Sequence, residues 1–319
     1  MIVDNWESDS LEPKPASTYH VQIRFTCERE IAVGFLRFDK YRVTTLPTKR
    51  DRLRPSGEEA LLEFDDVLDG RNASHPEREG EYILAWLSVV FGMKVDFRAA
   101  KIDIFNVTTK ERKDEPKPIT SDPGLNSLFR SLRALDEKGA RQYLRGCESY
   151  MVAISVLEKN PTLSMFMLVT AVECLSNIFA TANTHYERFR DFILSYLPHD
   201  LEPEKSDPKF LDEILRSCYA YRSGFTHGGS PLSPASKLAE RAEKKYVRHL
   251  ENGRKILTPS LRWFENIVRS VLMEFLSRQS GDAKTSLALL AMEEATLMMR
   301  ARRAMQAGRI LSFDDVELG

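Results

Sequence analysis

Arg222 and His227, in the segment FLDEILRSCYAYRSGFTHGG, are the two side chains of the chain best placed by type and spacing to do chemistry. The segment has helical period, with an apolar stripe of Leu211, Leu215, Cys218 and Phe225 flanked by Ile214 and Tyr221. Arg222 falls inside that stripe, about 20° from Leu211 at 100° per residue. A guanidinium directed toward an apolar interior needs an anionic partner or a ligand. His227 lies in the last turn, followed by Gly228 and Gly229, where the carbonyl end of the helix favours a protonated imidazole. A histidine so placed can take or lend a proton near neutral pH. Positions 222 and 227 differ by about 140° around an ideal helix, so His227 must turn at the helix end or be offered to a second subunit.

The acidic partner is expected in LSMFMLVTAVECLSNIFATAN, where Thr170, Glu173 and Asn177 form one polar stripe on a helix that is apolar nearly all round. Such a stripe is either a buried hydrogen-bond network or the wall of a site. Glu173 either pairs with Arg222 to fix helix register or lines a cleft with Arg222 and His227. Further along, Lys237, Arg241, Lys244, Lys245 and Arg248 fall on one face of a helix expected over 233–252, opposite Leu238, Ala242, Tyr246 and Leu250. A basic stripe of this kind can track a phosphate backbone. It can equally be the solvated side of an amphipathic helix, and Glu240, Glu243 and Glu251 dilute its charge. A second basic run, Lys49, Arg50, Arg52 and Arg54, reads as a charged loop.

The elements around these residues fall into two groups. Residues 1–18 read as a flexible leader, after which Tyr19–Thr26 alternates, with Val21, Ile23 and Phe25 on one face. Ile31–Phe38 and Tyr41–Leu46 continue the pattern, which predicts a small antiparallel sheet. Glu77–Gly92 has helical period and Val95–Val107 returns to strand composition, giving a mixed α/β domain over 19–107. The charged, proline-rich stretch 108–124 is the expected linker. Helices are expected at about 125–136, 138–158, 161–182, 184–197, 207–227, 233–252 and 258–279, forming a helical bundle over 125–280. Pro161, Pro234 and Pro259 sit at first-turn positions, and Gly228 and Gly253 sit where C-terminal caps belong. A last helix over about 282–307 and a tail follow, so the expected class is α+β: a small mixed N-terminal domain, an all-α bundle, and a C-terminal helix and tail over 281–319.

Composition removes several classes. With 46 Lys+Arg against 47 Asp+Glu in 319 residues, the protein is not polybasic, and its 42% hydrophobic content supports a real core. Cys27, Cys147, Cys174 and Cys218 stand far apart without a C-x-x-C pair, which predicts reduced thiols and no zinc site. No phosphate-binding loop or G-x-S-x-G elbow is present, and His20, His75, His185, His199 and His249 lack metal-like partners. No metal or cofactor is expected. The N-terminus lacks the basic start and apolar run of a secretory signal, and Leu163–Leu175 is too short and too interrupted to span a bilayer. The expectation is a soluble, cytoplasmic protein.

The run YAYRSGFTHGG has the form R-x-x-x-x-H-G at the end of a late helix, and an earlier apolar helix reads AVECL. In these features the chain resembles the HEPN superfamily (higher eukaryotes and prokaryotes nucleotide-binding), and it is most similar to the Apea-like branch. The resemblance covers about Leu125 to Gln279. It implies a helical domain that dimerises so that two R-x-x-x-x-H motifs face a shared cleft, where many members cut RNA without a metal ion. Arg222 then holds the scissile phosphate, its planar fork suiting paired oxygens. His227 acts as general acid or base while the ribose 2′-hydroxyl attacks, so DNA is not cut. Glu173 orients Arg222 or His227. Ser223 follows Arg222 where many HEPN ribonucleases carry Asn, Asp or His, although a small polar residue is familiar in the Apea-like branch. Thr170, Asn177 and Ser223, with Lys237, Arg241, Lys244 and Arg248, are the candidate substrate contacts.

The implied partners are RNA, a second copy of the chain, and an antitoxin or regulatory protein, without a membrane. A toxin or anti-phage defence role goes with them. The alternative is a non-catalytic HEPN module that binds RNA, a nucleotide or a partner protein, with Arg222 and Glu173 as a structural ion pair. A third reading is a helical scaffold with no nucleic-acid role.

Overall fold

The computed structural model describes residues 17–27, 35–45, 58–68, 76–105, 123–198, 208–229, 231–242, 244–251 and 254–279. Five antiparallel strands, β1 (Ser17–Cys27), β2 (Phe35–Phe38), β3 (Tyr41–Thr45), β4 (Glu58–Leu68) and β5 (Val95–Phe105), form a sheet of order β2-β3-β4-β1-β5. Val21, Ile23 and Phe25 alternate on the buried face of β1, opposite Phe64, Leu62 and Ala60 of β4. Helix α1 (Pro76–Phe91) packs on β1 and β5 and brings the buried Tyr82 and Trp86 into the core.

Five long helices build the rest: α2 (Pro123–Ala134), α3 (Glu137–Val156), α4 (Pro161–Phe179), α5 (His185–Tyr196) and α6 (Pro208–Gly228). A short α7 (Ala235–Arg241), a hairpin of β6 (Tyr246–Glu251) and β7 (Arg254–Pro259), and α8 (Leu261–Ser277) follow. The helix starts are marked locally. Asp136, Asn160 and Ser260 accept bonds from the first turns of α3, α4 and α8, and Thr184 with Glu187 forms a capping box on α5. The class is therefore α+β, a small antiparallel sheet with helices.

Helix α4 is the hub, touching α3, α5, α6 and α8. Gly146 allows α3 to lie against it: a Cβ there would sit 2.9 Å from the Ala171 carbonyl oxygen. Among the described residues α4 is also the helix that is long and apolar enough to cross a membrane, and half of it is buried inside the fold. The sheet and the helices share one apolar core. Phe38, Tyr41, Trp86 and Phe129 stack and tilt on one another, joining β2, β3, α1 and α2. Arg269 of α8 reaches the end of α1, donating to the carbonyls of Val89 (2.8 Å) and Val90 (2.6 Å).

Several sequence expectations change. The helix expected over 233–252 is not formed: α7 ends at Arg241 and the chain enters the β6–β7 hairpin, with Glu251 opposite Arg254. Tyr246, Val247, Ile256 and Thr258 favour extended backbone, and Asn252-Gly253 is the strongest two-residue hairpin signal, misread as a helix stop. Pro259 ends β7, and Ser260 rather than a proline opens α8. At the end of α6 the left-handed position is Gly229, φ +63°, not Gly228. Strand β4 had no counterpart among the expected elements. The leader up to residue 16, residues 31–34, the basic run Lys49–Arg54, His75, the linker from 108 to 122, His199 and the C-terminal helix lie outside the described residues.

Candidate functional site

The site is a seam between α4 and α6, which run antiparallel: Phe166 meets Phe225 at one end, and Glu173 meets Tyr219 nearer the other. Glu173 comes from the buried face of α4 and its side chain is 9% exposed. Arg222 comes from the inner stripe of α6, and its Nη2 stands 3.0 Å from Glu173 Oε2. Tyr219, three residues earlier and so on the same face, donates its hydroxyl to Glu173 Oε1 at 3.0 Å. Both carboxylate oxygens thus have a partner on α6.

The guanidinium is not fully used. Its Nε is buried without a hydrogen-bond partner, while the side chain as a whole is 28% exposed. The Cζ lies 5.9 Å from the centroid of the Phe166 ring, whose face attracts cations. Arg222 is held by one carboxylate and an aromatic wall, with donors left over. Burial and the adjacent Glu173 carboxylate push Tyr219 up to about 12, so it remains a neutral donor near pH 7.

His227 is exposed in the last turn of α6. Among the described residues no hydrogen bond or ion pair joins it to Arg222 or Glu173, as the angular offset along the helix predicts. Thr226 donates its hydroxyl to the Arg222 carbonyl at 2.9 Å, and Gly229 then turns the chain away. Ser223 is half-buried beside Arg222. Of the polar stripe on α4, Glu173 faces the seam. The Thr170 hydroxyl bonds back to its own helix at Phe166 O, 2.9 Å, and Asn177 is exposed two turns further on.

The basic residues expected on one helix face are distributed otherwise. Lys237 and Arg241 are on α7, Lys244 and Lys245 are in the turn that follows, and Arg248 is on β6, all exposed. This group is nevertheless tied to the seam. Tyr221, next to Arg222, shares a hydrogen bond with Thr258 of β7 at 3.0 Å, and the His249 ring lies between Ser233 (3.2 Å) and Thr258 (3.5 Å). Tyr219, Tyr221 and Phe166 were not singled out from sequence as site residues. The signal for Tyr219 and Tyr221 was present, since both lie within a turn of Arg222.

Among the described residues no group of three His, Cys, Asp or Glu side chains is arranged to hold a metal ion. Burial pushes the thiols of Cys147, Cys174 and Cys218 up, Cys174 to about 11, so none is poised as a nucleophile. His20 is clamped between Asp65 (2.6 Å) and Glu63 (3.3 Å) on the sheet. A recess of about 380 Å³ between the ends of α1 and α3 and the side of α8 is lined in part by Arg269 and Glu265, which bond within the fold. A second, of about 220 Å³, lies under α7. No family model, no curated protein and no solved structure matches the chain.

Proposed function

We propose that the chain is a metal-independent endoribonuclease of HEPN type, acting through Arg222 and His227 with Glu173 in support. One observation carries the reading: an arginine whose side chain is 28% exposed, and whose Nε is buried without a partner, is paired with a buried carboxylate five residues before an exposed histidine at a helix end. Arg222 neutralises the scissile phosphate and the charge that grows on its oxygens. His227 takes the proton of the ribose 2′-hydroxyl or gives one to the leaving 5′-oxygen. The 2′-oxygen-to-phosphorus bond forms as the phosphorus-to-5′-oxygen bond breaks, leaving a 2′,3′-cyclic phosphate. Glu173, held by Tyr219, keeps Arg222 in place.

One histidine serves one of these two proton transfers. Two copies of the chain, each presenting its α6 end to a shared cleft, supply both. In this reading the protein is a cytoplasmic toxin or anti-phage effector, restrained by an antitoxin or a regulatory partner. Its helical part from α2 to α8 is the HEPN-like domain, and the sheet senses the trigger or guides the substrate.

The saturation of both Glu173 oxygens by α6 favours a second reading, in which the pair fixes helix register and the module binds RNA, a nucleotide or a protein without cutting. Incubating labelled RNA with wild type, Arg222→Ala and His227→Ala protein in excess chelator separates the two. Cleavage by wild type alone supports the enzyme. Cleavage equal in all three, or in none, removes it.

A further inference from the structure

Between Lys237 and Arg262 the sequence carries eight Lys or Arg residues against three Glu, in a chain whose net charge is −1. Seven of the eight fall on α7, the turn after it and the β6–β7 hairpin, and Arg262 opens α8. Lys237, Arg241, Lys244 and Lys245 are exposed and form no ion pair among the described residues. Two acids described beside them have partners of their own. Glu240 accepts from the backbone N–H of Arg262 at 3.4 Å, and Glu158 pairs with the Arg262 guanidinium at 3.0 Å. Lys237 and Arg241, with Arg262 and the acids Glu158 and Glu240, line the recess of about 220 Å³ under α7, so two of the four cations border a concave surface.

This surface is fixed relative to the Arg222 seam. The Lys244 N–H donates to Ala239 O, and Ser260 N–H donates to Lys245 O, each at 2.8 Å, which holds the turn in place. The Ser236 hydroxyl bonds Pro259 O at 2.9 Å, locking α7 to β7. The hairpin is joined to α6 through Tyr221 and Thr258, one residue from Arg222. Leu232 N–H donates to Thr162 Oγ1 at 2.9 Å, about one helical turn along α4 from the Phe166 wall. Several cations without an ion pair among the described residues, at the same end of the bundle as His227, suit a continuous anion better than a single small one.

We infer that α7 and the β6–β7 hairpin form a phosphate-backbone cradle that leads one RNA strand to the Arg222 and His227 end of α6. The inference rests on the ribonuclease reading for the direction of the strand, but binding is tested apart from cleavage. Because lysines and arginines grip phosphates and not the ribose, single-stranded DNA of the same sequence also binds there. It survives, lacking the attacking hydroxyl, and competes with RNA.

The test is fluorescence anisotropy of a short fluorescein-labelled oligoribonucleotide with the full chain carrying His227→Ala, so that binding is read without cleavage. A combined Lys237→Ala, Arg241→Ala, Lys244→Ala and Lys245→Ala variant is compared with a control combining Arg130→Ala and Lys138→Ala, two exposed cations elsewhere. Circular dichroism verifies the fold of each. The cradle predicts affinity falling by about tenfold or more and the slope of log K against log salt shrinking by about 2 to 3 in the cradle variant alone. Wild-type protein binds the matching DNA strand and leaves it intact.

Equal binding by cradle variant and parent overturns the inference, as does equal loss in the control. Absence of any RNA or DNA binding by the parent also overturns it, and leaves the cations to an acidic protein surface. Cradle-dependent binding without cleavage by wild type upholds the cradle and removes the ribonuclease reading.

Discussion

The Arg222 guanidinium meets the Glu173 carboxylate at 3.0 Å across the seam between α4 and α6, and Tyr219 takes the carboxylate oxygen that Arg222 leaves open. A single acid thereby fixes two neighbouring turns of α6. The arrangement explains how a charge is tolerated on an otherwise apolar helix, and it leaves the Arg222 side chain 28% exposed.

Glu173→Gln keeps the shape and removes the charge. Removing one partner of a fully buried pair costs about 3–5 kcal/mol, but Arg222 is 28% exposed and water relieves part of that loss. We expect a loss of about 1–3 kcal/mol in urea unfolding, with RNA cleavage falling together with it. A variant as stable and as active as wild type would remove the supporting role of Glu173.

Tyr219→Phe deletes one hydrogen bond to a charged acceptor and leaves the ring packed on Tyr186 and Phe189. The cost is about 1.5–3 kcal/mol. Under the proposed ribonuclease reading, cleavage is expected to stay within a few-fold of wild type because Arg222 retains its own contact. Loss of activity as deep as that of Arg222→Ala, at unchanged stability, would contradict this division of labour.

Gly146→Ala tests the α3–α4 approach. The added methyl would lie 2.9 Å from the Ala171 backbone oxygen, which cannot rotate away. A loss of about 1–3 kcal/mol is expected, as for other overpacked cores. An unchanged denaturant midpoint would show that the helices separate freely.

The alkaline limit of the fold follows from its tyrosines. Burial, reinforced by Glu265 at Tyr150, Asp212 at Tyr186 and Glu173 at Tyr219, raises each above its usual value, and burial does the same at Tyr143. For a group whose folded value is raised, stability is complete below the unfolded value, about 10, and is lost as pH climbs toward the folded value. For Tyr219 that window runs from about 10 to about 12. Tyrosinate absorbance from the buried rings is expected to appear together with loss of circular dichroism above pH 10. Full tyrosine titration near pH 10 with the helices intact would be the contrary result.

The Glu173–Arg222 pair was legible in the sequence because charge on an apolar stripe has few places to go. The two positions were identifiable on their own helices, and their pairing was one of two readings that the sequence left open. Thr170 was misleading because spacing places it on the stripe with Glu173, while its hydroxyl closes on its own helix. The hairpin was hidden because the apolar residues Tyr246, Val247 and Leu250 fit a helical period as readily as an extended one, and Gly253 resembles a helix stop. Strand β4 was hidden by Glu58, Glu59, Glu63, Asp65 and Asp66, which crowd the alternation of Ala60, Leu62 and Phe64. Helix starts were read well at Asn160-Pro161 and Thr184, where a cap marks them, but not at Ser260, where Pro259 was taken for the first turn.

The most direct test is to identify the ends of the products formed from RNA by wild-type and His227→Ala protein in excess EDTA. Because His227 is exposed, its replacement should shift stability by no more than about 0.5 kcal/mol, so loss of activity will report chemistry and not unfolding. The account predicts fragments ending in 2′,3′-cyclic phosphate from wild type and none from the variant. Cleavage by both proteins alike, products with other ends, or intact RNA with every substrate would contradict it.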